Sequence, residues 1–114
     1  MESCIFCKIA KKEIPSQAVY EDEKVFAFKD INPGAPVHIL VIPKEHISGV
    51  MDLDASNAGI VGDIILTAKR LAQEFGLSES GFRLVINSGN DAGQSVPHLH
   101  LHLLGGQVMG WPPI

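Results

Sequence analysis

The alternation of apolar and polar positions divides the chain into β-prone runs and one long helix. Residues 4–12 predict a short helix or turn that stops before Pro15, because the residue preceding a proline is pushed out of the helical region. Ala18–Glu21 and Val25–Lys29 flank the acidic stretch Asp22-Glu23-Lys24 and predict a hairpin. Asn32-Pro33-Gly34-Ala35-Pro36 is a loop by composition. The β-branched run His38–Ile42, stopped by Pro43, predicts a largely buried strand.

The clearest helix carries Ile60, Val61, Ile64, Ile65, Ala68, Leu71, Ala72 and Phe75 on one broad stripe of period 3.6. Asp54 or Ser56 is the expected N-terminal cap and Gly76 the expected stop. Phe82–Asn87 predicts a fourth strand, Ser88–Ser95 a polar glycine-rich loop, and His98–Leu104 a fifth strand. There are no repeats, low-complexity tracts or linkers, so residues 1–114 read as a single domain. The order β-β-β-α-β-β predicts an α+β fold, with helices on one face of a mainly antiparallel sheet.

Composition narrows the class. The 114 residues are 46% hydrophobic and 19% charged, which excludes a disordered tail. No apolar run reaches the roughly 18 residues that cross a bilayer. Met1-Glu2-Ser3-Cys4 lacks the basic and apolar pattern of a secretion signal, so the expected location is cytoplasmic. A net charge of −4 argues against general nucleic-acid binding, which needs a basic face. The basic cluster Lys8, Lys11, Lys12 reads as a solvated helix face.

The candidate chemistry lies in the fifth strand. His98-Leu99-His100-Leu101-His102 alternates imidazole and leucine, and strand geometry puts the two kinds on opposite faces. The leucines would meet the helix stripe, leaving the histidines in one row. Such a row suits metal ligation, or phosphoryl transfer with an imidazole nucleophile. The preceding Gly93-Gln94-Ser95, offering backbone N–H groups and a hydroxyl, favours the second.

Separately, Cys4-Ile5-Phe6-Cys7 is a C-x-x-C pair, better read as half of a zinc site than as a disulfide or redox motif. The exposed-looking Trp111-Pro112-Pro113 in an apolar tail suggests a covered surface.

His98-Leu99-His100-Leu101-His102-Leu103-Leu104 matches the His-φ-His-φ-His-φ-φ signature, φ apolar, and resembles the histidine triad (HIT) family. Asp30-Ile31-Asn32-Pro33, Ala35-Pro36, His38, Val41-Ile42-Pro43-Lys44 and Gly93-Gln94-Ser95-Val96 resemble it too. Leu104-Gly105-Gly106 and Trp111-Pro112-Pro113 resemble the Hint branch, the histidine triad nucleotide-binding proteins. The related nucleotidyl transferases carry Gln where this chain has His102, so the resemblance points to a hydrolase.

It implies a five-stranded sheet with one long central helix and a short N-terminal one. It also implies a purine nucleoside phosphoramidase, cleaving P–N bonds in AMP-NH2 or AMP-lysine through a nucleotidyl-histidine. His100 would be the nucleophile, and His102 would stabilise charge on the phosphate. His98 completes the triad, and His38 would hold the nucleophile in its productive tautomer. Ser95 would bond the phosphate or leaving group, with Asn87, Gly93 and Gln94 helping to seat phosphate and ribose. Asp30 would accept from the ribose hydroxyls, and Ile5, Phe6, Ile9, Phe28, Ile31 and Leu40 would form the purine slot.

The resemblance further implies a structural zinc on Cys4, Cys7, His46 and His98, no catalytic metal, and a homodimer whose tail places Trp111 near the partner's active site. Two other classes remain open. One is a nucleotide-binding regulatory or interaction module with vestigial catalysis; the other is a metalloenzyme using the histidine row directly.

Overall fold

The computed structural model describes residues 3–114; Met1 and Glu2, part of the segment read for a secretion signal, lie outside the described residues. Five strands form one antiparallel sheet: β1 (Ala18–Glu21), β2 (Val25–Lys29), β3 (Val37–Pro43), β4 (Phe82–Ile86) and β5 (Leu101–Gly105). Their spatial order is β1-β2-β3-β5-β4, with the last strand inserted between β3 and β4. The short helix α1 (Ile5–Ala10) precedes the sheet, and the long helix α2 (Gly59–Glu74) connects β3 to β4. The α+β architecture with a five-stranded sheet is as the sequence pattern implied.

Period-two alternation sorts the strand residues between two cores. Val25, Ala27, Ile39, Val41, Leu101 and Leu103 point to one side and pack with Ile64, Ala68, Leu71 and Ala72 of α2. Phe26, Phe28, Leu40 and Ile42 point to the other and pack with Phe6, Cys7, Ile9 and Ala10 of α1. The two helices therefore cover opposite faces, not one face as expected. A six-residue helix is too short to persist alone, so α1 depends on this packing.

Only the C-terminal end of α2 follows the expected sequence chemistry. Gly76 terminates it at φ +74° in the left-handed region, its N–H donating to the Gln73 carbonyl while Leu77 N–H donates to Ala72. Leu77 is buried there and packs into the α2-side core. At the start, Ala58 occupies the cap position with no side-chain cap bond. Asp54 instead closes a separate turn, accepting from Ser56 N–H at 2.8 Å. Ile65 also departs from the expected stripe and is exposed, whereas Thr67 is buried, its hydroxyl donating to the Asp63 carbonyl.

The triad segment differs from the predicted continuous strand. Pairing of β5 begins at Leu101, opposite Val41 on β3 and Ile86 on β4. His98, Leu99 and His100 run past the end of β4 and leave the β3 ladder, attaching to the segment after β3 instead. Leu99 N–H donates to the Ile47 carbonyl at 2.6 Å. Side-chain alternation survives this change: Leu99, Leu101 and Leu103 all enter the α2-side core.

Candidate active site and metal centre

On the α1 face, three histidines that look equivalent in sequence acquire three different partners. Carbonyl oxygens only accept and backbone N–H groups only donate, so each contact assigns a proton. His98, fully buried, donates from Nε2 to the Pro43 carbonyl at 2.8 Å, which leaves a lone pair on Nδ1. His100 donates from Nδ1 to the His98 carbonyl at 2.7 Å, leaving its lone pair on Nε2.

His102 is assigned through a neighbour. Gly34 N–H donates to His38 Nδ1 at 2.9 Å, so neutral His38 carries its proton on Nε2. That proton is donated to His102 Nδ1, also at 2.9 Å. His102 then bears its own proton on Nε2, a buried atom without a hydrogen-bond partner among the described residues. Burial, followed by the neighbouring His100 and His38, pushes the His102 pKa from 6.5 down to about 4, keeping the ring neutral.

The site thus presents an unprotonated nitrogen on His100 beside an unanswered N–H on His102, the ring centroids 5.0 Å apart. His38 bonds His102 rather than His100, whose Nδ1–H is held by the His98 main chain. Asp30 lies beside this relay, with Oδ2 3.5 Å from His38 Nε2 and Oδ1 accepting from Asn32 N–H. Although Asp30, His38 and His102 lie close enough to share an ion, the His38 Nε2 proton makes the group a hydrogen-bond relay.

A second cluster joins Cys4, Cys7, His46 and His98, whose ligand atoms all lie within 4.8 Å of one another. The lone pair on His98 Nδ1 faces Cys4 Sγ at 3.3 Å and Cys7 Sγ at 3.6 Å, and His46 Nδ1 is 3.2 Å from Cys7 Sγ. Ligand bonds of 2.0–2.3 Å at tetrahedral angles give edges of about 3.3–3.8 Å, so the spacing fits zinc. The His98 Nε2 bond to Pro43 is the outer contact that orients a metal-binding imidazole. Burial holds the His98 pKa below its ordinary value and raises that of the Cys7 thiol. A bound dication would favour the Cys7 thiolate. These four residues fit a structural zinc site, and the cysteines form no disulfide.

Other expected residues take different places. The Gln94 amide donates to the carbonyls of Ser48 and Val96 and accepts from Gly89 N–H. It therefore braces the loop from within. Gly93 occupies a left-handed position ending the 3₁₀ turn Asn90–Ala92. Ser95 on this loop is exposed and Asn87 half-buried. Phe6, Ile9, Phe28 and Leu40 are only 4–8% exposed and belong to the α1-side core, while Ile5 and Ile31 are exposed. The expected purine slot is thus an exposed rim over a packed layer.

Sequence reasoning missed the groups that set the protonation pattern: Gly34 N–H, the Pro43 carbonyl and the His98 carbonyl. They are main-chain atoms, which residue identity does not advertise. Gly34 had a partial signal, lying in a turn-forming stretch four residues before His38.

The HIT domain family matches residues 11–109. A 14 kDa zinc-binding protein of Zea mays is 54% identical over 111 residues, covering 96% of this chain and 86% of the relative. A HIT family hydrolase of Legionella pneumophila superposes with a TM-score of 0.95 at 51% identity, over 97% of this chain and 99% of its own. One from Clostridium thermocellum gives 0.94 at 56% identity, over 96% of each chain. With its triad, its sheet and its thiol–imidazole cluster in place, the chain belongs to the HIT domain family and has that family's hydrolase-like fold.

Proposed function

We propose that this protein hydrolyses purine nucleoside phosphoramidates, of the AMP-NH2 or AMP-lysine type, to the nucleoside monophosphate. The observation that carries this reading is the proton pattern of the triad: a lone pair on His100 Nε2 and a buried, unpartnered N–H on His102 Nε2. An attacking nitrogen beside a fixed donor suits displacement at phosphorus, where charge gathers on the phosphoryl oxygens.

In the first step His100 Nε2 attacks the α-phosphorus and the P–N bond breaks. Its electron pair leaves with the amine, which takes up a proton from solvent water that the hydrolytic water of the second step returns. Meanwhile His102 Nε2–H and the Gly93–Ser95 loop hold the phosphoryl oxygens. Water then attacks phosphorus, the bond to His100 breaks and the monophosphate departs. Asp30 is assigned to the ribose hydroxyls, and Ile5 and Ile31 flank the base above Phe6. Zinc on Cys4, Cys7, His46 and His98 ties α1 to the triad segment and leaves this chemistry to the histidines.

The Hint-branch reading adds a homodimer, supported by the exposed Phe82 and Leu84 on the edge strand β4 and by the exposed tail residues Val108 and Trp111. Trp111 would then stand near the partner's leaving group. Two free thiols suit a reducing cytoplasm.

Rapid mixing with adenosine 5′-phosphoramidate, acid quench and mass spectrometry test the reading. The expected product is an adenylyl adduct on His100, with His100→Ala losing turnover by roughly 10³-fold or more. Full turnover by His100→Ala would sink it. Tight AMP binding without any adduct would favour the regulatory module.

A further inference from the structure

The apolar tail leaves the sheet after Gly105, and among the described residues 107–114 make a single hydrogen bond. In it, Arg83 Nη2 donates to the Gly110 carbonyl at 2.9 Å. The Arg83 Cζ also lies over the Trp111 ring, 6.0 Å from its centroid. One guanidinium thus grips two consecutive tail residues, bonding the main chain of the first and holding its charge over the ring of the second. The indole is 81% exposed, so its own domain offers little else to hold it. Arg83 forms no ion pair among the described residues, which leaves its donors to the tail.

The sheet register decides where this grip lies. Arg83 stands opposite Leu104 and Val85 stands opposite His102, and directly paired residues project from the same face. Arg83 is therefore on the triad face of β4, and β4 is an edge of the sheet. A twofold axis perpendicular to the sheet pairs that edge with itself antiparallel and keeps both triad faces on one side. The early end of β4, which carries Arg83, then meets the late end of the partner's β4. That is the end where Val85 adjoins His102.

We propose that Arg83 is the positioning residue for Trp111, turning the indole across the dimer edge toward the partner's histidines and so selecting among leaving amines. This rests on the homodimer and phosphoramidase readings above. An indole fixed beside the leaving group presents a flat apolar face, which an aromatic amine covers and ammonia does not. Arg83 touches no reacting atom, so its effect passes through Trp111. Loss of Arg83 removes selectivity and leaves the histidine chemistry in place.

The test compares wild type, Arg83→Ala, Trp111→Ala and the double variant on adenosine 5′-phosphoramidate and on AMP joined through P–N to phenethylamine. Each single variant should lower kcat/KM about tenfold for the aromatic amine and less than about twofold for adenosine 5′-phosphoramidate. The double variant should lose no more than either single one, because both changes remove the same contact. Additive losses, or equal losses on the two substrates, overturn the proposal.

Trp111 is the only tryptophan, so time-resolved fluorescence anisotropy reads the tail without turnover. Arg83→Ala should add a fast depolarisation that wild type lacks. Arg83→Lys keeps the charge without the planar fork and should restore only part of the hold. An unchanged anisotropy decay in Arg83→Ala overturns the proposal, whatever happens to selectivity. Sedimentation separates the readings. A monomeric wild type defeats the homodimer and with it delivery to the partner, whereas a dimer with unaltered selectivity in Arg83→Ala defeats the role of Arg83 alone. Absence of turnover in wild type defeats the phosphoramidase reading, and anisotropy then still decides whether Arg83 places the tail.

Discussion

The leucine face and the histidine face of the sheet are both buried, and they are buried for opposite reasons. On the α2 side, Leu101 and Leu103 meet Ile64, Ala68 and Leu71 in hydrocarbon contact, with no polar group to satisfy. On the α1 side the same strand turns His102 inward beside His38, and the segment before it buries His98 and His100. There nearly every ring nitrogen is answered by a main-chain group, a neighbouring histidine or a thiol. Among the described residues, His102 Nε2 is buried without a partner and His100 Nε2 keeps its lone pair free. One face has contacts that tolerate exchange of like for like; the other is a directed chain of protons in which each residue depends on the previous one.

Mutations should separate these two kinds of burial. Leu103→Ala opens a cavity in the hydrocarbon face and should cost about 2–5 kcal/mol in urea unfolding, with kcat per folded molecule preserved. Activity lost in proportion to stability in conditions where the variant is fully folded would break the distinction. His38→Ala should do the reverse, lowering kcat about 10–100-fold by freeing the His102 donor. His38→Gln offers an acceptor and a donor of its own and should recover part of that loss in steady-state kinetics.

Titration gives a smaller effect. The His102 pKa is lowered to about 4 in the folded chain against 6.5 as its ordinary value. Between those values the unfolded chain binds the extra proton, so stability rises with pH. The contribution is complete above about pH 6.5 and is lost as the pH falls toward 4. Chemical denaturation across that window should show a decline of order 2 kcal/mol from this group, discounted for its partial burial, and His102→Phe should flatten it. The smallest effect belongs to the solvent side of α2. There Arg70 and Glu74 form an exposed i,i+4 pair at 3.2 Å, and Glu74→Ala should cost about 0.5 kcal/mol or less.

Much of this was legible in the chain. β1 and β2 occupy the predicted residues, Gly76 stops α2, and the His-Leu alternation assigns each side chain to its face. These features depend on local stereochemistry and on periodicity, both carried by residue identity. The departures have a common origin. Ile65 is exposed because it lies off the α2 face that buries Ile64, Thr67, Ala68, Leu71 and Ala72, and Asp54 closes a turn before the helix because Asn57 N–H and Ala58 N–H both reach its carbonyl. His98 and His100 lie outside the ladder, whose β5 pairing starts at Leu101, where β4 ends at Ile86, and the chain before it bonds instead to Ile47 and Pro43.

The sequence by itself determined which side chains are available: three alternating imidazoles, a fourth on β3, two thiols and a further histidine at position 46. Tertiary structure alone decided which nitrogen of each ring carries its proton. Proton positions are set by Gly34 N–H, the Pro43 carbonyl and the His98 carbonyl, which leave a lone pair on His98 Nδ1, one on His100 Nε2 and a proton on His102 Nε2. A histidine's identity leaves its two nitrogens interchangeable. Only a neighbour that must donate or must accept breaks that equivalence, and here those neighbours are main-chain atoms brought close by the fold.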